Sequence, residues 1–193
     1  MSKKESILEA SAKLFSQKGF KDTSISEISK ITGAAEGTIF YHFKNKEELF
    51  LSILEKVKKD IIFEFEQYFK DATFKNGLDM MEGTISFYLY MAGKMEDQFL
   101  LLYRHYPYKL AEANLICRGH LEEIYNYLAS IFERAIVVGQ KDGSIANMPA
   151  RKTALIVFSM VDGVVRFKTY NLYDAGALYN ELIACCKRML TKK

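Results

Sequence analysis

The sequence has no tryptophan, two prolines and three cysteines among its 193 residues. So few prolines, with eleven glycines, leave little of the punctuation that a many-stranded sheet requires. Apolar residues recur mostly three and four apart, which predicts an all-α chain. Cys117, Cys185 and Cys186 are odd in number and lack metal-ligand spacing, and the adjacent pair points to different sides of a helix. Reduced, partly buried thiols are expected rather than a redox switch. The three histidines, His42, His105 and His120, are scattered away from paired acidic or cysteine ligands, and no glycine-rich phosphate loop or nucleophile motif occurs. The expectation is therefore no metal, no cofactor and no catalytic residue. A run of about 18 uncharged apolar residues is also missing, as is an apolar segment leading to a small-residue cleavage site. A cytoplasmic protein without a membrane partner is expected.

Arginine is absent from the N-terminal half: the first is Arg104, and residues 1–50 hold eight lysines against seven acidic side chains. A net charge of +3 says little about nucleic acid. Any DNA contact in this region must rely on lysines, hydroxyls and backbone amides. What is present is ordinary for a globular protein, 49% hydrophobic and 26% charged residues, enough for a sizeable core.

Ser2 and Glu5 have capping-box spacing and open a helix whose stripe is Ile7, Leu8, Ser11, Leu14 and Phe15, ended by Gly19. Ser24 and Glu27 form a second box, and Ile25, Ile28 and Ile31 are expected to bury the next helix before Gly33 turns the chain. Residues 35–43 place Ile39 and Phe43 four apart for burial. Asn45 then caps a long helix over about 46–70, whose Glu47 and Glu48 suit its positive end. Further helices are predicted near 76–94, 96–105, 109–139, 149–170 and 175–191, with breaks at 71–76, Pro107, 139–148 and Asp174. Pro149 fits a first helical turn. Two domains are expected, 1–46 and 47–193, with the 46–70 helix as connector.

Two short capped helices joined by a glycine turn, over about 24–43, have the form of a helix-turn-helix, whose second helix enters the major groove. As bare geometry this is a weak signal, because many helical proteins contain such a pair. The residues sharpen it. The strings Thr23-Ser24-Ile25-Ser26-Glu27-Ile28 and Gly33-Ala34-Ala35-Glu36-Gly37-Thr38-Ile39-Phe40-Tyr41-His42-Phe43-Lys44-Asn45-Lys46-Glu47-Glu48-Leu49 closely resemble the signature of the TetR (tetracycline repressor) family. The likeness is strong over roughly the first 50 residues and loose in the body. It implies a three-helix DNA-binding head, a ligand pocket in a helical body, and a homodimer formed by the last two helices on a palindromic operator in double-stranded DNA.

On that resemblance the DNA-binding residues are Ser24, Ala35, Glu36, Gly37, Thr38, Phe40, Tyr41, His42 and Lys46. Gly37 permits close backbone approach. Thr38, Tyr41 and His42 offer donors to phosphate oxygens. Lys46, in the first turn of its helix, is the expected cationic anchor. Phe40, where the family usually carries tyrosine, can pack on a thymine methyl. Ala35 and Glu36 stand where the family often has Ser and Lys, and both changes remove phosphate-binding capacity. Glu36 is then either a specificity residue, accepting from a cytosine amino group, or an exposed position that repels phosphate.

The body is rich in aromatics and methionines, which at helical spacing are core but also describe cavities between helices. The ligand-lining candidates are Phe87, Met91, Tyr103, Arg104, His105, Phe132, Asp162 and Arg166. Asp162 and Arg166 can equally pair with each other one turn apart. Arg104, His105 and Arg166 favour an anionic effector, fatty-acid-like or acyl-thioester-like. The functional expectation is a repressor released from its operator by such a small molecule. The alternatives are a drug-responsive repressor that binds apolar cations, or a helical interaction or enzymatic module that does not bind specific DNA.

Overall fold

A computed structural model describes residues 2–191; Met1, Lys192 and Lys193, at the two ends of the expected domains, lie outside the described residues. Among the described residues there are ten helices and no strand: α1 (Lys3–Lys18), α2 (Ile25–Thr32), α3 (Glu36–His42), α4 (Lys46–Asp71), α5 (Gly77–Lys94), α6 (Glu96–Tyr103), α7 (His105–Ala111), α8 (Leu115–Asp142), α9 (Ala150–Thr169) and α10 (Ala175–Leu190). No helix among them is long and apolar enough to cross a membrane.

The chain forms two compact units. One holds the chain up to Ile62 with Met95–Ile124, the other Phe63–Lys94 with Tyr125 onward. The expected division after residue 46 thus falls inside the first unit, because α1 packs on α6 as well as on α2.

In the first unit the helix ends follow local chemistry. Ser2 Oγ accepts from the Glu5 amide at 3.2 Å while the Ser2 amide donates to Glu5 Oε2 at 2.7 Å, a complete capping box. At α2 only half the box forms. Ser24 Oγ accepts from the Glu27 amide at 3.1 Å, but the Glu27 carboxylate pairs with Lys18 instead. Asn45 caps α4 through the Glu48 amide at 2.8 Å. Ile7, Phe15, Ile28, Ile39, Phe43, Leu49 and Phe50 close the core beneath these caps. Each such burial is worth about 1.5–3 kcal/mol.

Ile31 corrects the expected stripe of α2, being 59% exposed. Each three-residue step precesses about 60° around a helix, so a stripe centred on Ile28 has turned outward by Ile31. Thr32, four residues on, stays half-buried instead, and its hydroxyl donates to the Ile28 carbonyl at 2.7 Å.

Three further boundaries move. Pro107 does not break the chain but sits in the first turn of α7, where a missing N–H costs nothing. The break falls at 112–114, inside the helix expected over 109–139: Asn114 Oδ1 accepts from the Ile116 and Cys117 amides, both at 3.0 Å, and starts α8 afresh. Gly139 is likewise helical, and the turn waits for Gly143 at φ 81°.

The second unit is joined by contacts distant in sequence. Gly77 lies so close to α8 that a Cβ there would meet the Gly139 backbone nitrogen at 2.0 Å, and one on Gly139 would meet Ile145 Cγ1 at 2.5 Å. Asp142, the last residue of α8, and Ser144, just past its turn, cap α5 from outside by accepting from the Gly77 and Leu78 amides at 2.7 and 3.1 Å. An aromatic cluster fills this unit: Tyr68 stacks on Phe87 at 4.2 Å, and Tyr88, Phe132 and Phe158 lie about 6 Å from one another. The cysteines are free thiols, and burial pushes Cys117 and Cys186 up to about 11, which leaves little thiolate at neutral pH.

Candidate nucleic-acid interface

Helix α3 is short, seven residues, and is held by what it buries. Ile39 is fully buried and Phe43, at its C-cap, is 2% exposed. That pairing turns the rest of the helix outward. Glu36, Gly37, Phe40 and Tyr41 are exposed, Tyr41 at 85%, while Thr38 and His42 are half-buried at the edges. Ala35 starts the helix exposed and without a side-chain cap, and Ser24, at the start of α2, is exposed while its hydroxyl is engaged as a cap. An exposed tyrosine and phenylalanine on a short helix that follows a glycine-marked turn suit a surface that meets a groove rather than a core.

Three lysines of this region are turned onto the protein. Lys3 Nζ reaches the Thr32 and Gly33 carbonyls at 3.3 and 3.5 Å, at the C-terminal end of α2. Lys4 lies 5.6 Å from the Phe43 ring centroid. Lys46 Nζ donates to the Phe20 and Thr23 carbonyls at 2.8 and 2.9 Å and lies 4.4 Å from the Phe20 ring centroid, and the partial burial lowers its pKa. The expected phosphate anchor is therefore held against the α1–α2 loop.

Residues 7–53, from α1 to the early turns of α4, match the bacterial regulatory proteins of the tetR family. Over those residues the chain carries the N-terminal DNA-binding region of the TetR family. It is accordingly a DNA-binding transcription regulator, with α2 and α3 as its helix-turn-helix. Among relatives, it is 26% identical over 181 residues to the fatty acid metabolism regulator protein of Bacillus subtilis, covering 92% of this chain and 90% of that one. Two solved structures share the fold across nearly the whole chain. The transcriptional regulator FadR of Bacillus subtilis, in complex with stearoyl-CoA, matches with a TM-score of 0.76 at 22% identity, over 94% of this chain and 96% of that one. A transcriptional regulator of Saccharomonospora viridis, in complex with choline, matches with a TM-score of 0.87 at 17% identity, over 98% of both.

The body residues expected to line a TetR-type ligand pocket fall into both units. In the first, Tyr103 is buried, His105 is exposed, and Arg104 donates from Nε to the Ser16 carbonyl at 2.7 Å and from Nη2 to the Gln17 carbonyl at 2.6 Å. Arg104 thus caps the end of α1, where a cation suits the helix dipole. In the second unit Met91 and Phe132 are fully buried, Phe87 is half-buried against Tyr68, and Arg166 is exposed on α9. Asp162 accepts from the hydroxyl of the fully buried Tyr88 at 2.8 Å. The sequence reading missed this partner. The available signal was that a carboxylate on a largely apolar helix requires a donor.

Proposed function

We propose that this regulator is a repressor that binds a palindromic operator as a homodimer in the cytoplasm and is released by a small effector carrying a long acyl chain, as a fatty acid or its thioester. The observation that carries the effector class is the likeness to a fatty acid metabolism regulator across both the head and the body. The aromatic and methionine-rich interior of the second unit suits an apolar chain. The same reading assigns Glu36, Gly37, Thr38, Phe40, Tyr41 and His42, with Ser24 and Ala35 at the helix starts, to the DNA surface. Release follows if the effector binds better to a conformation whose two heads no longer match the operator spacing.

A second reading, an apolar cation as effector, is favoured by one observation: the carboxylate of Asp162 sits at the edge of the Tyr88, Phe132 and Phe158 cluster. Titration with stearoyl-CoA and, separately, with choline discriminates the two. Release of a duplex recovered by selection from randomised DNA, together with a raised Tm, is expected with the acyl thioester. Release by choline alone would replace the acyl reading by the cationic one.

Dimerisation is supported by the apolar residues that α9 and α10 leave outside. Phe158, Val161, Val165, Leu182 and Ile183 face inward, whereas Leu155, Ile156 and Leu178 are exposed at 44%, 54% and 36%. A two-fold contact over these helices should bury at least about 1,200 Å². Light scattering should find a dimer at micromolar concentration, and a Leu155→Glu, Ile156→Glu variant a monomer.

A further inference from the structure

We infer that the first unit holds a ligand site of its own, a cleft between the α1–α2 loop and the α6–α7 junction that takes an aromatic carboxylate. The cleft encloses about 420 Å³, and every residue that lines it belongs to this one unit. That volume lies within the range of small-molecule pockets. Its depth is apolar. Phe15, Phe50 and Leu101 are each 1% exposed, and the half-buried Phe20 and Tyr106 complete the wall. The four rings form one cluster: Phe20 meets Phe50 edge-on at 5.6 Å, Phe50 meets Tyr106 edge-on at 4.9 Å, and Phe15 lies 5.3 Å from Phe20. A planar aromatic guest can join such a cluster through the same edge and face contacts.

Charge decides the sign of the guest. Lys21, Arg104 and Lys109 line the cleft against a single carboxylate, Asp22, and the exposed His105 adds an imidazole. Arg104 keeps its charge uncompensated, because Nε and Nη2 donate to the neutral carbonyls of Ser16 and Gln17. Lys109 is partly offset by Glu112 at 2.6 Å, whereas Lys21 has no carboxylate partner among the described residues. Tyr106 adds no negative charge at neutral pH, since burial pushes its phenol up to about 12. An aromatic cluster alone would attract a cation, but the Phe20 ring already carries the Lys46 ammonium 4.4 Å from its centroid. The positive excess therefore selects an anion. The wall from Gly19 to Asp22 runs on to Ser24, the N-cap of α2, so a bound acid touches the loop that opens the helix-turn-helix.

The test titrates the full chain with 2-naphthoate, with 2-naphthalenemethanol and 2-naphthylmethylamine as its neutral and cationic counterparts. DNA and acyl thioester are left out, so the result does not depend on the effector proposed above. Calorimetry should find saturable binding of the acid at least about tenfold tighter than of either counterpart, the order of a hydrogen bond to a charged group. Amide exchange should slow over residues 19–22 and 104–109. Lys21 and Asp22 are both exposed, so substitutions there leave the core intact. Lys21→Glu, which exchanges an attraction for a repulsion, should weaken the acid about tenfold, and Asp22→Asn should tighten it about threefold. The inference is overturned by the absence of saturable acid binding, by equal affinity for the three probes, or by an acid affinity that neither substitution moves. Protection confined to the second unit overturns it as well.

Discussion

The helix-turn-helix and the second unit are held together over different distances along the chain. In the head, the starts of α1, α2 and α4 are each fixed by a partner three residues away: Ser2 with Glu5, Ser24 with Glu27, Asn45 with Glu48. In the second unit local caps occur too, as where Asn76 accepts from the Asp79 amide, but further polar contacts join Gly77 to Asp142, Tyr88 to Asp162 and Ser86 to Tyr179, separations of 65, 74 and 93 residues. A surface that must present a fixed set of side chains to DNA is built from local rules. An interior is built from coincidences of distant segments, so a change there should cost more and be harder to foresee.

The sharpest way to break this contrast is Gly77→Ala. The new methyl would press on the backbone of α8 at Gly139, which no side-chain rotation relieves. A loss of about 3 kcal/mol or more in denaturant unfolding is expected. An alanine tolerated within 1 kcal/mol would show the α5–α8 contact to be loose. Next comes Tyr88→Phe, which removes the hydroxyl that Asp162 accepts from within the aromatic cluster. It should cost about 1.5–3 kcal/mol, the range for a hydrogen bond to a charged group.

In the head, Ser24→Ala removes a single cap and should cost about 1 kcal/mol, measurable as a lower urea midpoint. The smallest stability effect belongs to Glu36→Gln, exposed at the start of α3, where a change within about 0.5 kcal/mol is expected. Its effect on DNA is the informative one. If the carboxylate accepts from a cytosine amino group, selection on randomised duplexes should show one base pair per half-site losing about 1–3 kcal/mol of preference. An unchanged preference assigns Glu36 to solvent. Glu36→Lys should then tighten every duplex alike.

What could be read from the sequence follows the same division. The three capped helix starts of the head, the burial of Ile39 and Phe43, and the outward set Glu36, Gly37, Phe40 and Tyr41 all depend on neighbours within a turn, which periodicity and capping expose directly. The helices of the body were also legible in number and type, apart from the break at Asn114, whose capping residue sits in a run with no glycine or proline to mark it. Partners were not legible. Arg104, a ligand-lining candidate on residue type, donates to the last carbonyls of α1, and Lys46, expected to anchor phosphate, donates to the Phe20 and Thr23 carbonyls. In both cases the protein acceptors lie far along the chain, where periodicity gives no signal. Asp162 is the converse case, where need for a donor was visible but Tyr88 was not.

The stack of Phe20 on Tyr106 offers optical access to this loop. The chain contains no tryptophan, so Phe20→Trp would introduce its only indole, lying between the Tyr106 ring on one face and the Lys46 ammonium on the other. Excited at wavelengths that tyrosine does not absorb, that single fluorophore would report the α1–α2 loop alone. Its emission would shift to the red if the ring left the stack for water. The same cuvette could then follow effector and duplex binding in real time, without a label attached to either.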